Sequence, residues 1–237
     1  MEAAGYTTLN RQSGLLREMR TVANNIANTA TTGFKQEGII FSEYVIGTGE
    51  GPSLSMASGR IGHTSFLQGP LAETGGSLDV AIEGDGFFLI DTPSGERLTR
   101  SGHFSLSNQG DLVTSEGFKV LDAGGAPLFV PPGEGPLLIS TDGTISRSGA
   151  PLGQIGLFQA LDPSQLEREG GVSFRSPGDF EPVDEPRMRQ GFLENSNVNP
   201  VLQVARMIEV QRAYEMGQSF LDAENQRARD ALRSFFK

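Results

Sequence analysis

Near the N-terminus, Leu9, Gln12, Leu16, Met19, Ala23 and Ile26 recur at alternating spacings of three and four. That alternation predicts an amphipathic helix with a coiled-coil type seam over about residues 4 to 31, roughly 42 Å long. Thr31 and Thr32 weaken the helix, Gly33 supplies a C′ residue, and Phe34 stands where a C-terminal cap places its hydrophobic contact. At the other end, Asn199 is a capping residue and Pro200 fits the first helical position. From there Val204, Met207, Gln211, Tyr214, Gln218, Leu221, Asn225, Ala228, Leu232 and Phe235 keep the same alternation, predicting one helix over 200–236, about 55 Å long. Glu209/Arg212, Glu224/Arg227 and Asp230/Arg233 are spaced to pair along it. Arg233 and Lys237 set positive charge at its C-terminal end.

Between these segments the period changes to two. "LDVAIEGDGFFLID" reads as two short strands about the turn Gly84-Asp85-Gly86. "LLISTDGTIS" is a hairpin turning at Asp142-Gly143. Turn signals every 8 to 12 residues predict an antiparallel all-β domain over 75–160, flanked by Gly-, Ser- and Pro-rich extended connectors at 36–74 and 161–199. The predicted fold is therefore α+β. An N-terminal helical segment (1–35) and a C-terminal one (200–237) pair, parallel or antiparallel, as a coiled-coil-like layer around a central β domain. The seams contain several polar residues, so their burial is a weak match for the entropy of ordering two long helices. Such arms are expected to fold fully only against neighbouring copies or partners.

Three asparagines interrupt this picture. Asn24, Asn25 and Asn28 crowd the end of the first helix, although Asn is a poor helix former. One reading is a frayed end facing water. The other is that the amides are pressed against other helices, where they fix register and partner; the paired seams favour this second reading.

Composition narrows the function. The formal charge of −10 lacks the clustered Lys and Arg that phosphate binding requires, so neither nucleic acid nor anionic lipid is an expected partner. There is no cysteine, hence no disulfide, Cys zinc site or thiol chemistry. No apolar run reaches the length of a membrane span, and the opening "MEAAGYTTLNRQSG" is not a cleavable secretory signal. His63 and His103 have no Cys beside them to build a metal site. The "EGDGFF" turn is too short for a calcium loop, "GTGEG" lacks the Lys-Ser/Thr of a phosphate cradle, and no serine sits in a Gly-x-Ser-x-Gly elbow. No cofactor and no enzymatic activity are expected.

Four ordered blocks then carry a resemblance. "VANNIANTATTGFK", "LDVAIEGDGFFLI", "LTRSGHFSLSNQGDLVTSEGFKVL" and "NSNVNPVLQVARMIEVQRAYE" resemble the bacterial flagellar basal-body rod and hook protein family, over nearly the whole chain. Within it the opening block and the length resemble the proximal-rod members. The resemblance implies a structural axial subunit in the periplasmic rod, exported by the flagellar type III apparatus and assembling with copies of itself and other rod proteins. It implies that the terminal helices form the inner wall of a helical tube that transmits motor torque toward the hook. Leu16, Met19, Ala23, Leu221 and Val204 from the seams are expected at subunit interfaces. So are Asn24, Asn25, Ile26, Asn28, Gly33 and Phe34 from the first block, and Asn197, Asn199, Pro200, Met207, Ile208, Gln211, Arg212 and Tyr214 from the last. The alternatives are a distal-rod or hook-type axial subunit and, further off, an oligomeric module binding a ligand through its β domain.

Overall fold

The computed structural model describes the backbone of residues 2–46 and 54–235 and the side chains of 7–40 and 62–234. The GTGEG stretch at 47–51, the Phe235 side chain and Lys237 lie outside these. The protein is α+β, with a helix at each end and a central antiparallel β region. It divides into two compact units, one of residues 1–27, 36–65 and 199–237, the other of 28–35 and 66–198.

The first unit holds helices α1 (Glu2–Ala27) and α2 (Pro200–Phe235) and an antiparallel hairpin, β1 (Glu37–Ile46) and β2 (Leu54–Thr64). The hairpin lies against α1 and occupies what the sequence suggested was a connector. Its first strand, EGIIFSEYVI, is rich in the β-branched and aromatic residues that favour a pleated surface. α2 starts as expected: the Asn199 side-chain oxygen accepts from the N–H groups of Val201 and Leu202 at 3.1 and 3.2 Å. α1 stops earlier than expected, at Ala27. The chain turns there, Thr31 N–H donating to Asn28 O at 3.2 Å, so Gly33 is not the helix's C′ residue.

The helices run antiparallel. Gln12 Nε2 donates to Tyr214 O at 2.8 Å, Glu18 Oε1 lies 2.5 Å from Arg206 Nη2, and Asn25 Nδ2 donates to Gln203 Oε1 at 3.2 Å. The buried row of α1 is Gln12, Leu15, Glu18, Val22 and Asn25; of the expected seam Gln12 is buried and Met19 and Ile26 half-buried, while Leu9, Leu16 and Ala23 are exposed, the last two one step from buried Leu15 and Val22. Leu15 is 9% exposed and its neighbour Leu16 is 38%. On α2 the covered positions are Gln203, Met207, Val210, Tyr214, Gly217 and Leu221, while Val204, Gln211, Gln218 and Asn225 face outward. Glu209 pairs with Arg206, not Arg212; Glu224–Arg227 and Asp230–Arg233 pair as expected.

In the second unit, strand Phe87–Thr92 is central to a nine-stranded antiparallel sheet. Its apolar run is buried on both faces: Phe88 and Ile90 enter one core with Leu112 and Val120, and Phe87 and Leu89 enter another with Leu98 and Phe174. A continuous apolar run, rather than alternation, is the pattern of a doubly covered strand. Asp142-Gly143 turns the expected hairpin, Ile139 facing Ile145. The strands flanking Gly84-Asp85-Gly86 do not pair with each other; Val80–Ile82 pairs with Met188–Gln190. Residues 161–199, expected as a connector, add five short strands to this unit. Strands of two or three residues leave no periodic trace, and their partners lie far away in sequence.

Candidate functional site

The two sequence blocks with the strongest patterns meet twice. In the helical unit, Asn25 is 1% exposed. Its Nδ2 donates to Glu37 O at 2.7 Å and its Oδ1 accepts from Glu37 N–H at 2.9 Å, so the amide acts as one rung of a strand ladder at the start of β1. The same Nδ2 reaches Gln203 on α2. One amide thus ties α1, the hairpin and α2. Asn25 is therefore an asparagine of the crowded stretch that links the two helices. Asn24 is exposed and reaches the Glu37 carboxylate at 3.3 Å, and half-buried Asn28 accepts from Thr31 Oγ1.

In the β unit, the "TTGFK" and "ENSN" segments lock together. Gly33 has φ +72°, and a Cβ there would stand 2.5 Å from Ser101 N, so only glycine fits. Gly33 N–H donates to Glu194 O at 2.7 Å. Phe34 is buried beneath the Arg168 guanidinium, 4.3 Å from its ring centroid. Lys35 Nζ, fully buried, lies 2.5 Å from Glu194 Oε1 and donates to Leu67 O at 2.9 Å. Glu194 also accepts from Gly69 N–H at 2.8 Å and lies 3.3 Å from Arg100 Nη1. Burial lowers the Lys35 pKa, against the Glu194 carboxylate that raises it, and the Arg100 charge lowers it further. Burial likewise lowers that of Arg100. The half-buried Asn197 donates through Nδ2 to Leu67 O at 2.9 Å. Gly33, Phe34 and Asn197 therefore make contacts within their own chain, and Lys35, Glu194 and Arg100 join them without any sequence signal. A Lys and a Glu 159 positions apart carry no spacing by which to be matched.

The remaining expected residues sit on the helices. Met19, Ile26, Met207, Tyr214 and Leu221 are half-buried; Leu16, Ala23, Asn199, Pro200, Val204, Ile208, Gln211 and Arg212 are exposed. Each helix thus has a second apolar row. Leu9 and Leu16, one heptad apart, flank the buried row of α1, and Val201, Val204 and Ile208 lie opposite the buried row of α2. Between the helices, Gly217 allows a close approach: a Cβ there would stand 2.2 Å from Gln12 Nε2. Charge divides along the same line. The helical unit carries ten Lys/Arg and ten Asp/Glu, net zero, whereas the β unit carries nine and nineteen, the whole −10.

Chemistry elsewhere is sparse. His103 Nδ1 lies 2.7 Å from Asp79 Oδ1, whose other oxygen accepts from the Thr74 hydroxyl at 2.6 Å. With that hydroxyl directed at the carboxylate, the trio fastens a turn and presents no activated nucleophile. Among the described residues no group of three His, Asp or Glu is placed to hold a metal, and no helix is long and apolar enough to cross a membrane.

The features the described residues do present are helices with a second, exposed apolar row, the class of surface by which structural subunits pack on one another. Comparison with known proteins agrees and is specific. Residues 6–35 match the family described as flagella basal body rod protein, 81–147 the flagellar hook protein FlgE/F/G D1 domain, and 189–234 the flagellar basal body rod FlgEFG protein C-terminal. The chain is 42% identical to the flagellar basal-body rod protein FlgF of Mesorhizobium japonicum, covering 91% of this chain and 90% of that one. It is 37% identical to FlgF of Caulobacter vibrioides over 100% and 99%, and 30% identical to the rod protein FlgG of Bacillus subtilis over 93% and 94%. The chain belongs to the flagellar basal-body rod proteins, a family of structural subunits rather than enzymes.

Proposed function

We propose that this chain is a subunit of the proximal rod, assembling helically through α1 and α2 with copies of itself and with other rod proteins, and transmitting motor torque toward the hook. The observation that carries the reading is the pair of uncovered apolar rows: each helix buries one row against the other and leaves a second, including Leu16, Val204 and Ile208, facing outward. In a coiled-coil-like layer those rows pack on the helices of neighbours. Electroneutrality of the helical unit supports this, since stacking copies of it builds up no net charge, while the acidic β unit keeps the free chain soluble. The helical arms, weakly held within one chain, suit passage through a type III export channel into the periplasmic space without a cleavable signal.

Deleting the gene, scoring swimming and purifying basal bodies tests the assignment. Loss of swimming with structures halted at the inner-membrane ring is the expected result. Structures that carry a proximal rod but stop before the hook would move the protein to the distal rod, and normal swimming with complete basal bodies would remove it from the rod.

A further inference from the structure

The face of α2 that α1 covers does not end where α1 ends. Gln203 meets Asn25, Arg206 meets Glu18 and Tyr214 meets Gln12. That antiparallel register brings the first residue of α1, Glu2, opposite about residue 224 of α2. Residues 225–235 therefore run on past α1 for about 16 Å at the helical rise. Leu232 sits on the same face as Tyr214 and Leu221, seven and eleven residues along in turn, yet is 60% exposed. The interface within the chain thus continues into a segment that nothing among the described residues covers, too short to be a stable helix by itself.

A complementary surface lies on the flank of the helix pair. A groove of about 350 Å³ is floored by Leu15, Ala213, Met216 and Phe220. Met216 is 66% and Phe220 41% exposed, large apolar side chains left in water. Arg11 is the one charged side chain lining the groove, so the fit is apolar: Leu232 continues the row of α2 that α1 already covers, and the groove is the apolar edge of that same α1–α2 interface. Because α2 is one continuous helix, its overhang cannot turn back onto its own groove.

We infer that residues 225–235 of α2 seat in the groove between α1 and α2 of a second copy, Leu232 packing against Met216 and Phe220. The inference rests on the assembly reading above and names its contact. Where each copy seats its overhang in one neighbour and receives another neighbour's overhang in its groove, the contact is heterologous and repeats copy upon copy, as a rod requires; a reciprocal pairing would instead stop at a dimer. It also gives the bare overhang a structural purpose.

The chain has no cysteine, so paired substitutions test this without background. Met216→Cys with Leu232→Cys, expressed as the only copy in the native host and oxidised, is expected to give a ladder of disulfide-linked multimers in purified basal bodies. Either substitution alone gives none, and neither does Ser219→Cys with Leu232→Cys, because exposed Ser219 lies off the groove. Ala213→Cys with Leu232→Cys repeats the test with a smaller change at the groove floor. Swimming cells with assembled rods in which neither groove pair forms a ladder, or in which the Ser219 pair forms it equally well, would overturn the inference and leave the rod assignment standing. A deletion strain that still swims and builds complete rods would remove both.

Discussion

Asn25 and Glu194 show how much rests on single polar side chains. Asn25→Ala strands the N–H and C=O of Glu37 and releases Gln203, and a buried group left unsatisfied costs about 1–3 kcal/mol. Loss of about 2–3 kcal/mol in denaturant unfolding followed by far-ultraviolet circular dichroism is expected; an unchanged midpoint would show that the ladder rung is dispensable. Glu194→Ala leaves Lys35 and Arg100 buried without their counter-charge, at a cost of about 3–5 kcal/mol. The pH dependence has a definite sign. Burial holds the folded Lys35 pKa below 10.5, so between that lowered value and 10.5 the unfolded chain binds more protons and stability rises with pH. Without Glu194 the folded pKa falls further and the window widens. The gap in stability between wild type and variant is therefore expected to narrow as pH climbs from neutral toward 10.5, and a constant gap would contradict a charged, buried Lys35. Neither residue's partner was legible in the sequence. The crowding of asparagines marked a place where helix propensity was being overridden, but which amide met which group depends on a strand and a helix that arrive from elsewhere in the chain.

At the scale of elements, both terminal helices were legible in kind because their periodicity is long and their caps are explicit, as Asn199 and Pro200 show. Their facing was legible only in part: Gln12, Met207, Tyr214 and Leu221 lie on the covered faces as expected, and Leu16, Ala23, Val204 and Gln211 do not. Leu15 and Leu16 are adjacent, as are Val22 and Ala23, so an apolar count cannot choose between rows one step apart. Polar side chains decide it: Gln12, Glu18, Asn25 and Gln203 fill the buried row because each has a partner on the facing element or the hairpin. The neighbouring leucines separate folding from assembly. Leu15→Glu is expected to destabilise the helical unit by more than about 2 kcal/mol, seen as lost helicity. Leu16→Glu, like Ile208→Glu, is expected to shift unfolding of the isolated chain by no more than about 0.5 kcal/mol while abolishing swimming. Wild-type swimming in cells carrying Ile208→Glu would take the outer face of α2 out of the interface. The short strands of 161–199 and the β1–β2 hairpin escaped the sequence for another reason. Gly, Ser and Pro punctuate them as densely as they do a connector, and only their pairing partners make them strands.

For the molecule as a whole, the division of labour follows composition. The β unit buries two apolar cores and carries the entire net charge; the helical unit is neutral and keeps apolar rows on its surface. In the proposed assembly, the acidic unit serves solubility and the neutral helices serve contact between copies. Since the acidic unit repels its like, higher ionic strength is expected to favour polymerisation of the purified chain, measured by sedimentation, and inhibition by salt would point to assembly through ion pairs. The central claim is that the terminal helices complete their folding against neighbours. Hydrogen exchange followed by mass spectrometry, on the isolated chain and on purified rods, tests it most directly. Amides of residues 5–30 and 201–236 are expected to exchange well ahead of those in strands such as Phe87–Thr92 in the isolated chain, and to become protected in the rod. Helices as protected as the β unit in a monomer, with no gain on assembly, would contradict it.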